Sequence, residues 1–298
     1  MYYFVYGIFW LLSLLPWRVL YLISDAIYGL VFYILKYRRD VVLSNLAMAF
    51  PEKSEEERWK IAKKFYHNLL DTFMETIKML SASEAALSKR FVANWEAVNQ
   101  FYPSGRSIQL HAGHNFNWEL CNVSCPINLR YPFLGVYMPM TNKLFERLFL
   151  KLRSRFGTKL LRATHMKEDF QIYKDAPYVL ALAADQNPGN PASGWWFDFF
   201  GRPAPFVKGP ARGAIGNNTV VIFAFIHKLK RGYYETVFTV ATEEPTRMTE
   251  QELTAKFVEY LENVIRRYPE MWLWSHRRWK WVWKEEFGEV RHPKTFKV

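Results

Sequence analysis

The segment QLHAGHNFNWEL, from Gln109 to Leu120, carries the clearest indication of the fold class. It continues a short strand-like run that begins at Ser107, and it leads into a segment that can form a helix. His114 and Glu119 stand where such a strand ends, with four residues between them. Because sites in α/β sheets usually form at the ends of strands, this stretch predicts both an α/β fold and a candidate site.

An imidazole beside a carboxylate can act as a general base. The ring titrates near neutrality and accepts a proton from a hydroxyl, while a carboxylate on its other nitrogen fixes the tautomer and stabilises the imidazolium. Five residues at about 100° each would place His114 and Glu119 about 140° apart on one helix. The pair therefore requires His114 in the turn before the helix and Glu119 in its first turns, with Asn115 or Asn117 as the cap. The alternative is that both are ordinary loop and helix-surface residues.

Composition limits the class of protein. The 298 residues suffice for one large domain or two small ones, and hydrophobic residues make up 50%, which is high for a wholly water-soluble enzyme. Lys and Arg (40) exceed Asp and Glu (28), and the net charge of +12 favours anionic partners: phospholipid, phosphorylated substrates, an acidic carrier protein or nucleic acid. The two cysteines, Cys121 and Cys125, make no disulfide framework, and a metal site would need more ligands. A reducing compartment fits best.

The N-terminus is apolar. No charge occurs from Met1 to Trp17, and ten uncharged residues follow from Ala26 to Leu35. The first run is at the short limit for a spanning helix, which needs about 20 residues, so a shallow hairpin, an interfacial helix and a buried core helix stay open. A signal peptide is not expected, because a basic n-region and a small-residue cleavage site are lacking. The basic residues at positions 36, 38 and 39 place the body of the protein on the cytoplasmic side.

Beyond the N-terminus, helical and strand-like patterns alternate. Capping boxes are predicted at Ser54–Glu57, Ser81–Glu84 and Thr249–Glu252, and a helix is predicted from Leu144 to Phe156. The strand candidates are Ser107–His111, Phe133–Tyr137, Tyr178–Ala184, Thr219–Ile226 and Tyr234–Ala241. Most of them are apolar on both faces, as central strands in a helix-covered sheet should be. The predicted fold is therefore α/β, with a mixed central sheet flanked by helices.

Several charged residues beside these strands are candidates for substrate binding. Arg and Lys can hold a phosphate or a developing oxyanion, and Asp185 follows a strand whose end would reach the same rim as His114. Solvated surface charge is the alternative for each of them. The candidates are Arg153, Arg155, Asp185, Arg202, Lys208 and Arg212.

Two aromatic segments need a separate interpretation. Trp195–Phe200 is too apolar for an ordinary loop and is either a core strand or the wall of a lipid-facing groove. Trp272–Lys284 interleaves five tryptophans with basic residues, which is typical of nucleic-acid stacking or of a membrane-interface belt. The apolar N-terminus favours the membrane, and no nucleic acid is expected as a partner.

Taken together, these residues resemble the late acyltransferases of lipid A biosynthesis, the lauroyl and myristoyl transferases of Gram-negative inner membranes. They belong to the wider class of lysophospholipid acyltransferases with an HxxxxD/E pair. The matching segments are collinear over nearly the whole chain: Arg39–Leu46 with Phe50-Pro51, His114–Glu119, Val136–Asn142, Leu152–Gly157, Asp185-Gln186, Phe199–Pro203 and Trp272–Lys280. Two positions depart from the family pattern. Asn115-Phe116 stands where Phe-Gly is expected, and Met138 replaces an Arg, which bears on the acceptor.

The resemblance implies a glycerolphosphate acyltransferase-like fold, with membrane-associated helices over residues 1–39 and an acyltransferase domain over residues 40–298. His114 would deprotonate an acceptor hydroxyl, in the lipid A case the 3-hydroxyl of a lipid-linked acyl chain, and Glu119 would orient His114. The donor would be acyl carrier protein, with acyl-CoA second. Transfer would be direct, because the sequence has no Ser or Cys in a nucleophile elbow. The resemblance implies no metal or organic cofactor and a location at the cytoplasmic face of the inner membrane.

Two alternatives stay open. The same fold serves acyltransferases for lysophospholipids, aminolipids and phosphatidylinositol mannosides. A non-catalytic basic protein that binds anionic membrane or nucleic acid would not depend on His114 or Glu119. His111 is a rival base, but it lies inside the predicted strand end without a carboxylate at the matching spacing, so we interpret it as structural.

Overall fold

The computed structural model describes residues 1–295. Its α-helices are α1 (Tyr2–Leu14), α2 (Trp17–Gly29), α3 (Arg39–Ala49), α4 (Glu55–Lys78), α5 (Glu84–Ser88), α6 (Glu96–Asn99), α7 (Trp118–Asn128), α8 (Lys143–Arg153), α9 (Met166–Phe170), α10 (Gly209–Gly216) and α11 (Glu250–Arg267). Its strands are β1 (Phe91–Ala93), β2 (Ile108–Ala112), β3 (Phe133–Tyr137), β4 (Lys159–Arg162), β5 (Val179–Ala183), β6 (Trp195–Asp198), β7 (Pro203–Phe206), β8 (Val220–Lys230), β9 (Tyr233–Thr242) and β10 (Val290–Arg291).

The strands form one large sheet and one small sheet. The large sheet has seven strands in the order β1-β9-β8-β2-β5-β3-β4, and β8–β9 is its antiparallel pair. The small sheet has the order β10-β6-β7. The prediction of an α/β fold with a mixed central sheet is confirmed. All five strand candidates are present, with bounds that differ by a few residues. The strands β1, β4, β7 and β10 were not predicted, because each has only two to four residues, which is too short for a strand pattern to be recognised in the sequence.

The local chemistry at the helix ends follows the sequence in most places. Ser54 and Thr249 each accept a hydrogen bond from the backbone N–H three positions later, and in both boxes the glutamate carboxylate accepts one from the cap residue's backbone N–H. The box predicted at Ser81 does not form. Ser83 caps α5 instead, because the residues before it belong to the turn that follows α4.

The N-terminal helices pack on the body along one side. Leu20 of α2 is buried in a cluster with Met74 and Ile77 of α4. One stretch, Trp17–Ile34, is long and apolar enough by length and composition to cross a membrane. Large apolar side chains on the other side are exposed: Phe4, Ile8, Leu11, Leu22, Leu30, Tyr33, Ile34 and Leu35. The predicted apolar N-terminal helix is therefore present, and the division of domains at residue 39 stays a prediction.

The two aromatic segments lie largely in the core. Trp196 and Phe197 of β6 are fully buried, so Trp195–Phe200 is mainly a core strand. Trp272, Trp274 and Arg278 are also buried. The interpretation of the C-terminal segment as a surface belt or a stacking platform is therefore wrong for this first half. The reason is that its indole rings pack inside the protein, with Trp272 and Trp274 edge to face at 4.8 Å.

Candidate functional site

His114 lies in the turn between β2 and α7. Its ring Nδ1 is 2.6 Å from Oδ1 of Asp185, and its backbone N–H donates to Oδ2 of the same residue at 2.7 Å. Asp185 follows β5, which pairs in parallel with β2 so that Ala112 lies opposite Ala183. Because the carboxyl ends of these neighbouring strands meet at one rim of the sheet, the two side chains come together although they are far apart in sequence.

Asp185 is a buried carboxylate with three donors. Its side chain is 2% exposed, and Trp272 Nε1 donates to Oδ2 at 2.7 Å in addition to the two bonds from His114. Burial alone would favour the protonated form, but the charge and hydrogen bonds of His114 outweigh it and lower the pKa of Asp185 to about 2. Asp185 is therefore ionised at neutral pH and can accept a hydrogen bond from a protonated Nδ1 of His114.

The free edge of the His114 ring can accept a proton. With Nδ1–H directed to Asp185, Nε2 carries the lone pair, and Gln186 Nε2 lies 3.4 Å from it. Burial opposes the protonated ring, but the Asp185 carboxylate outweighs this and raises the pKa of His114 above its ordinary value. The arrangement is that of a general base whose tautomer is set by a carboxylate.

Glu119 lies in the first turn of α7, as predicted, but its partner is Arg153. The Arg153 Nε donates to Glu119 Oε2 at 2.8 Å, Nη2 donates to Oε1, and Trp118 Nε1 donates to Oε1 at 3.1 Å. The hydrogen bond to the ring of His114 that the sequence spacing assigned to Glu119 is made by Asp185 instead. The physical reason is that α8 ends beside α7 and offers a guanidinium fork that matches the carboxylate.

The turn between His114 and Glu119 is held at several points. Asn117 caps α7 by accepting from the Leu120 backbone N–H at 3.2 Å. The C-terminal segment pairs with the same turn, because the Leu273 N–H donates to the His114 carbonyl at 3.1 Å and the Phe116 N–H donates to Met271 at 2.9 Å. The backbone of Met271 and Leu273 therefore holds the turn that carries the base.

The other predicted substrate-binding residues lie outside this hydrogen-bonded group. Arg155 donates to the carbonyls of Met79 and Ala82, after the end of α4. Arg202 is exposed in the turn between β6 and β7. Lys208 lies 3.8 Å from the centre of the Trp195 ring, and Arg212 pairs with Glu250 at 2.9 Å. The structure thus brings Arg153 and Asp185 to His114 and Glu119, and the substrate roles of the other four cations stay predictions.

His111 is buried beside the site. Its ring lies against Phe223 and Phe257, and its Nε2 has no hydrogen-bond partner among the described residues. Burial lowers the pKa of His111 to about 3, so the ring is neutral. Among residues 1–295, no group of three or more His, Cys, Asp or Glu side chains could hold a metal ion.

Gln186 and Trp272 contact the site residues His114 and Asp185, although neither was predicted as a site residue. The available signal was that both lie in segments that match the family, Asp185-Gln186 and Trp272–Lys280. Neither segment shows by itself that it meets His114.

Comparisons with known proteins identify the family of the chain. The family described as bacterial lipid A biosynthesis acyltransferase matches residues 1–281. The lipid A biosynthesis lauroyltransferase of Escherichia coli (strain K12) is 26% identical over 279 residues, which is 92% of this chain and 89% of that protein. The lipid A biosynthesis palmitoleoyltransferase of the same organism is 24% identical over 277 residues, with the same coverage of 92% and 89%. The protein is an acyltransferase, and the chain belongs to the bacterial lipid A biosynthesis acyltransferase family.

Proposed function

We propose that this protein transfers a fatty acyl group from acyl carrier protein, or from acyl-CoA, to a hydroxyl of a lipid A precursor at the cytoplasmic face of the inner membrane. The observation that carries the proposal is the bond between His114 Nδ1 and Asp185, which leaves Nε2 of a partly exposed ring as the proton acceptor. The names of the two Escherichia coli relatives support lipid A as the acceptor class.

In this reaction the acyl group moves directly from the sulfur of the thioester donor to the oxygen of the acceptor hydroxyl. His114 Nε2 takes the proton of the acceptor hydroxyl while the oxygen attacks the thioester carbonyl carbon. A C–O bond forms and the C–S bond breaks, and the imidazolium returns the proton to the departing thiolate. Asp185 stabilises the imidazolium between these two proton transfers.

The start of α7 is suited to the developing oxyanion. The backbone N–H groups of Trp118 and Glu119 stand in the first turn, where a helix offers no internal acceptors and its dipole favours negative charge. In this proposal they hold the oxyanion. Arg153, held by Glu119, keeps a cation at the same rim, and its charge would guide the phosphate groups of the carrier or acceptor.

Membrane attachment through the N-terminus is part of the proposal. The exposed apolar side chains of α1, α2 and residues 30–35 would enter the bilayer, and membrane phospholipid would be a further partner. Lys36, Arg38 and Arg39 follow this surface and support a cytoplasmic location for the rest of the chain, because basic residues flank membrane helices on that side.

The positions at which this sequence departs from the family pattern bear on the identity of the acceptor. Met138, which replaces a family Arg, is 67% exposed just after β3. A lysophospholipid, an aminolipid or a phosphatidylinositol mannoside would use the same base with a different headgroup, and the test below includes these acceptors.

The test uses membranes that contain the protein. They are incubated with acyl carrier protein loaded with different fatty acids and with one acceptor at a time: tetra-acylated lipid A precursor, a lysophospholipid, an aminolipid or a phosphatidylinositol mannoside. The products are identified by mass spectrometry. We expect the wild type to add the mass of one acyl group. His114→Ala should lower the rate on the order of 10³-fold, which is the range of general-base catalysis. His165→Ala removes an exposed histidine outside the site and should leave the rate unchanged.

The outcomes separate the parts of the proposal. Transfer to a lysophospholipid or aminolipid alone would keep the chemistry and reject lipid A as the acceptor. Undiminished transfer by His114→Ala would reject His114 as the base.

A further inference from the structure

Glu75 is a buried carboxyl group that the proposed reaction does not use. It lies near the end of α4 and is 1% exposed, and its side-chain hydrogen-bond donors among residues 1–295 are neutral groups. A buried carboxyl group without a cation is costly, so its hydrogen bonds must hold it. Those bonds come from three separate parts of the chain.

The three donors meet at this one side chain. Tyr21 of α2 donates to Oε1 at 2.9 Å, and Tyr234 of β9 donates to Oε2 at 2.8 Å. The third donor is Asn117, whose Nδ2 donates to Oε2 at 2.7 Å. Asn117 is fully buried and stands in the turn between His114 and Glu119, where its other side-chain atom caps α7. One carboxyl group therefore connects the N-terminal apolar helix, the central sheet and the turn that carries the base.

We propose that Glu75 is a positioning residue for acyl transfer, because its carboxyl group holds Asn117, and with it the His114–Glu119 turn, against α2 and β9. The inference rests on the proposed function for its meaning and on the hydrogen bonds for its evidence. A displacement of about 1 Å in a catalytic group can lower a rate on the order of 10²-fold, so the contact has a measurable consequence.

Because Glu75 is buried, a second carboxyl group placed beside it would disturb its contact with residue 117. Burial raises the pKa of Glu75 to about 7, against the hydrogen bonds from Tyr234 and Tyr21, while Asp71 and Lys228 act in opposite directions. A carboxyl group placed at residue 117 would stand where the Asn117 amide now donates. Two carboxyl groups at this distance cannot both ionise cheaply, so they share a proton and one pKa rises strongly.

The experiment therefore uses Asn117→Asp, which keeps the acceptor that caps α7 and loses the donor to Glu75. We expect kcat to fall at most about tenfold at pH 6, where the pair shares a proton. It should fall progressively further, toward about 10²-fold, as the shared proton is lost toward pH 8.5. The KM for the thioester donor should stay unchanged. The variant thus gains an alkaline limb in its kcat–pH profile that the wild type lacks.

The double variant Glu75→Gln with Asn117→Asp supplies the rescue. The glutamine amide at position 75 can donate to the new carboxylate at position 117. The alkaline limb should therefore disappear, and kcat at pH 8.5 should return to within about tenfold of the wild type. The matched control is Asn190→Asp, which makes the same charge change at a side chain that caps the turn Pro191–Ser193. It should add no alkaline limb.

Two results would overturn the inference: an Asn117→Asp profile parallel to that of the wild type, or a double variant that stays as impaired as Asn117→Asp. A different result would reject the proposed function, namely acyl transfer that persists in His114→Ala. If the wild type transfers to none of the acceptors, the thermal unfolding midpoints of the same variants at pH 6 and 8.5 test the Glu75 contact. If the unfolding midpoint of Asn117→Asp then falls no further between pH 6 and pH 8.5 than that of the wild type, the Glu75–Asn117 contact is rejected.

Discussion

Asp185 and Glu119 are two buried carboxylates at the same rim of the sheet, and they differ in their partners. Asp185 accepts from the His114 ring, from the His114 backbone and from Trp272. Glu119 accepts from Arg153 and Trp118. Their exposures are 1% and 3%, so burial does not distinguish them.

Because of these partners, only Asp185 faces a group whose charge changes during the proposed reaction. The guanidinium of Arg153 keeps its charge at every working pH, so the Glu119 pair is the same before and after proton transfer. The ring of His114 gains and loses a proton, so Asp185 faces a charge that appears only during the reaction. We therefore expect Asp185 to contribute more to the rate and Glu119 more to the arrangement of the rim.

The largest effect is expected from Asp185→Asn. The amide keeps the shape of the side chain but favours the wrong tautomer of His114, so kcat should fall on the order of 10³-fold. The measurement is kcat for acyl transfer, compared with Glu119→Gln in the same membranes. A greater loss in Glu119→Gln than in Asp185→Asn would reverse the comparison.

The residual activity of Asp185→Asn also has a pH signature. The wild-type rate should fall at acid pH as His114 becomes protonated, and the Asp185 carboxylate raises the pKa at which this happens. Without the carboxylate that pKa falls, so the acid limb of the variant should move to lower pH. A variant that had only lost its fold would show no such displacement.

A smaller effect on the rate is expected from Glu119→Gln. This change leaves a largely buried guanidinium without its carboxylate, and breaking a buried pair costs about 3–5 kcal/mol of stability. We expect kcat to fall roughly tenfold, by displacement of α7 relative to His114. The measurement is a double-mutant cycle with Arg153→Met, read by thermal unfolding and by kcat.

The double variant should lose less than the sum of the two single variants, because it leaves neither charge alone. Additive losses would mean that the Glu119–Arg153 pair is not an energetic unit.

The smallest effect on the rate, at most about threefold, is expected from Glu75→Gln, because the amide still accepts from Asn117. Its stability should change with pH in a defined direction. Burial raises the pKa of Glu75 from 4.5 to about 7. The folded protein therefore binds more protons than the unfolded chain between these values, and this side chain lowers stability as pH rises, on the order of 3 kcal/mol by pH 8.

The measurement is the unfolding midpoint of the wild type and of Glu75→Gln at pH 5 and pH 8. The wild type should lose roughly 5 °C more than the variant over this range, since Gln does not titrate. Equal losses in the two proteins would place the pKa of Glu75 near its ordinary value.

Much of the fold and part of the site could be predicted from local sequence. The apolar runs that form β2, β3, β5, β8 and β9 could be recognised because strands in a helix-covered sheet are buried on both faces. Such strands consist mostly of apolar residues. The caps at Ser54, Asn117 and Thr249 are equally local, because each side chain bonds a backbone N–H three residues away. His114 in a turn before a helix, with Glu119 in its first turn, follows from the same local rules.

Local sequence was therefore sufficient to predict the α/β class, the position of His114 at a strand end and an apolar N-terminus. The assembled fold was needed to show that Asp185 bonds to the His114 ring, that Arg153 pairs with Glu119 and that Glu75 accepts from Asn117. These pairs are 71, 34 and 42 residues apart. Spacing along the chain describes one helix or strand at a time, whereas the partner of a buried carboxylate depends on which strands and helices become neighbours when the sheet assembles.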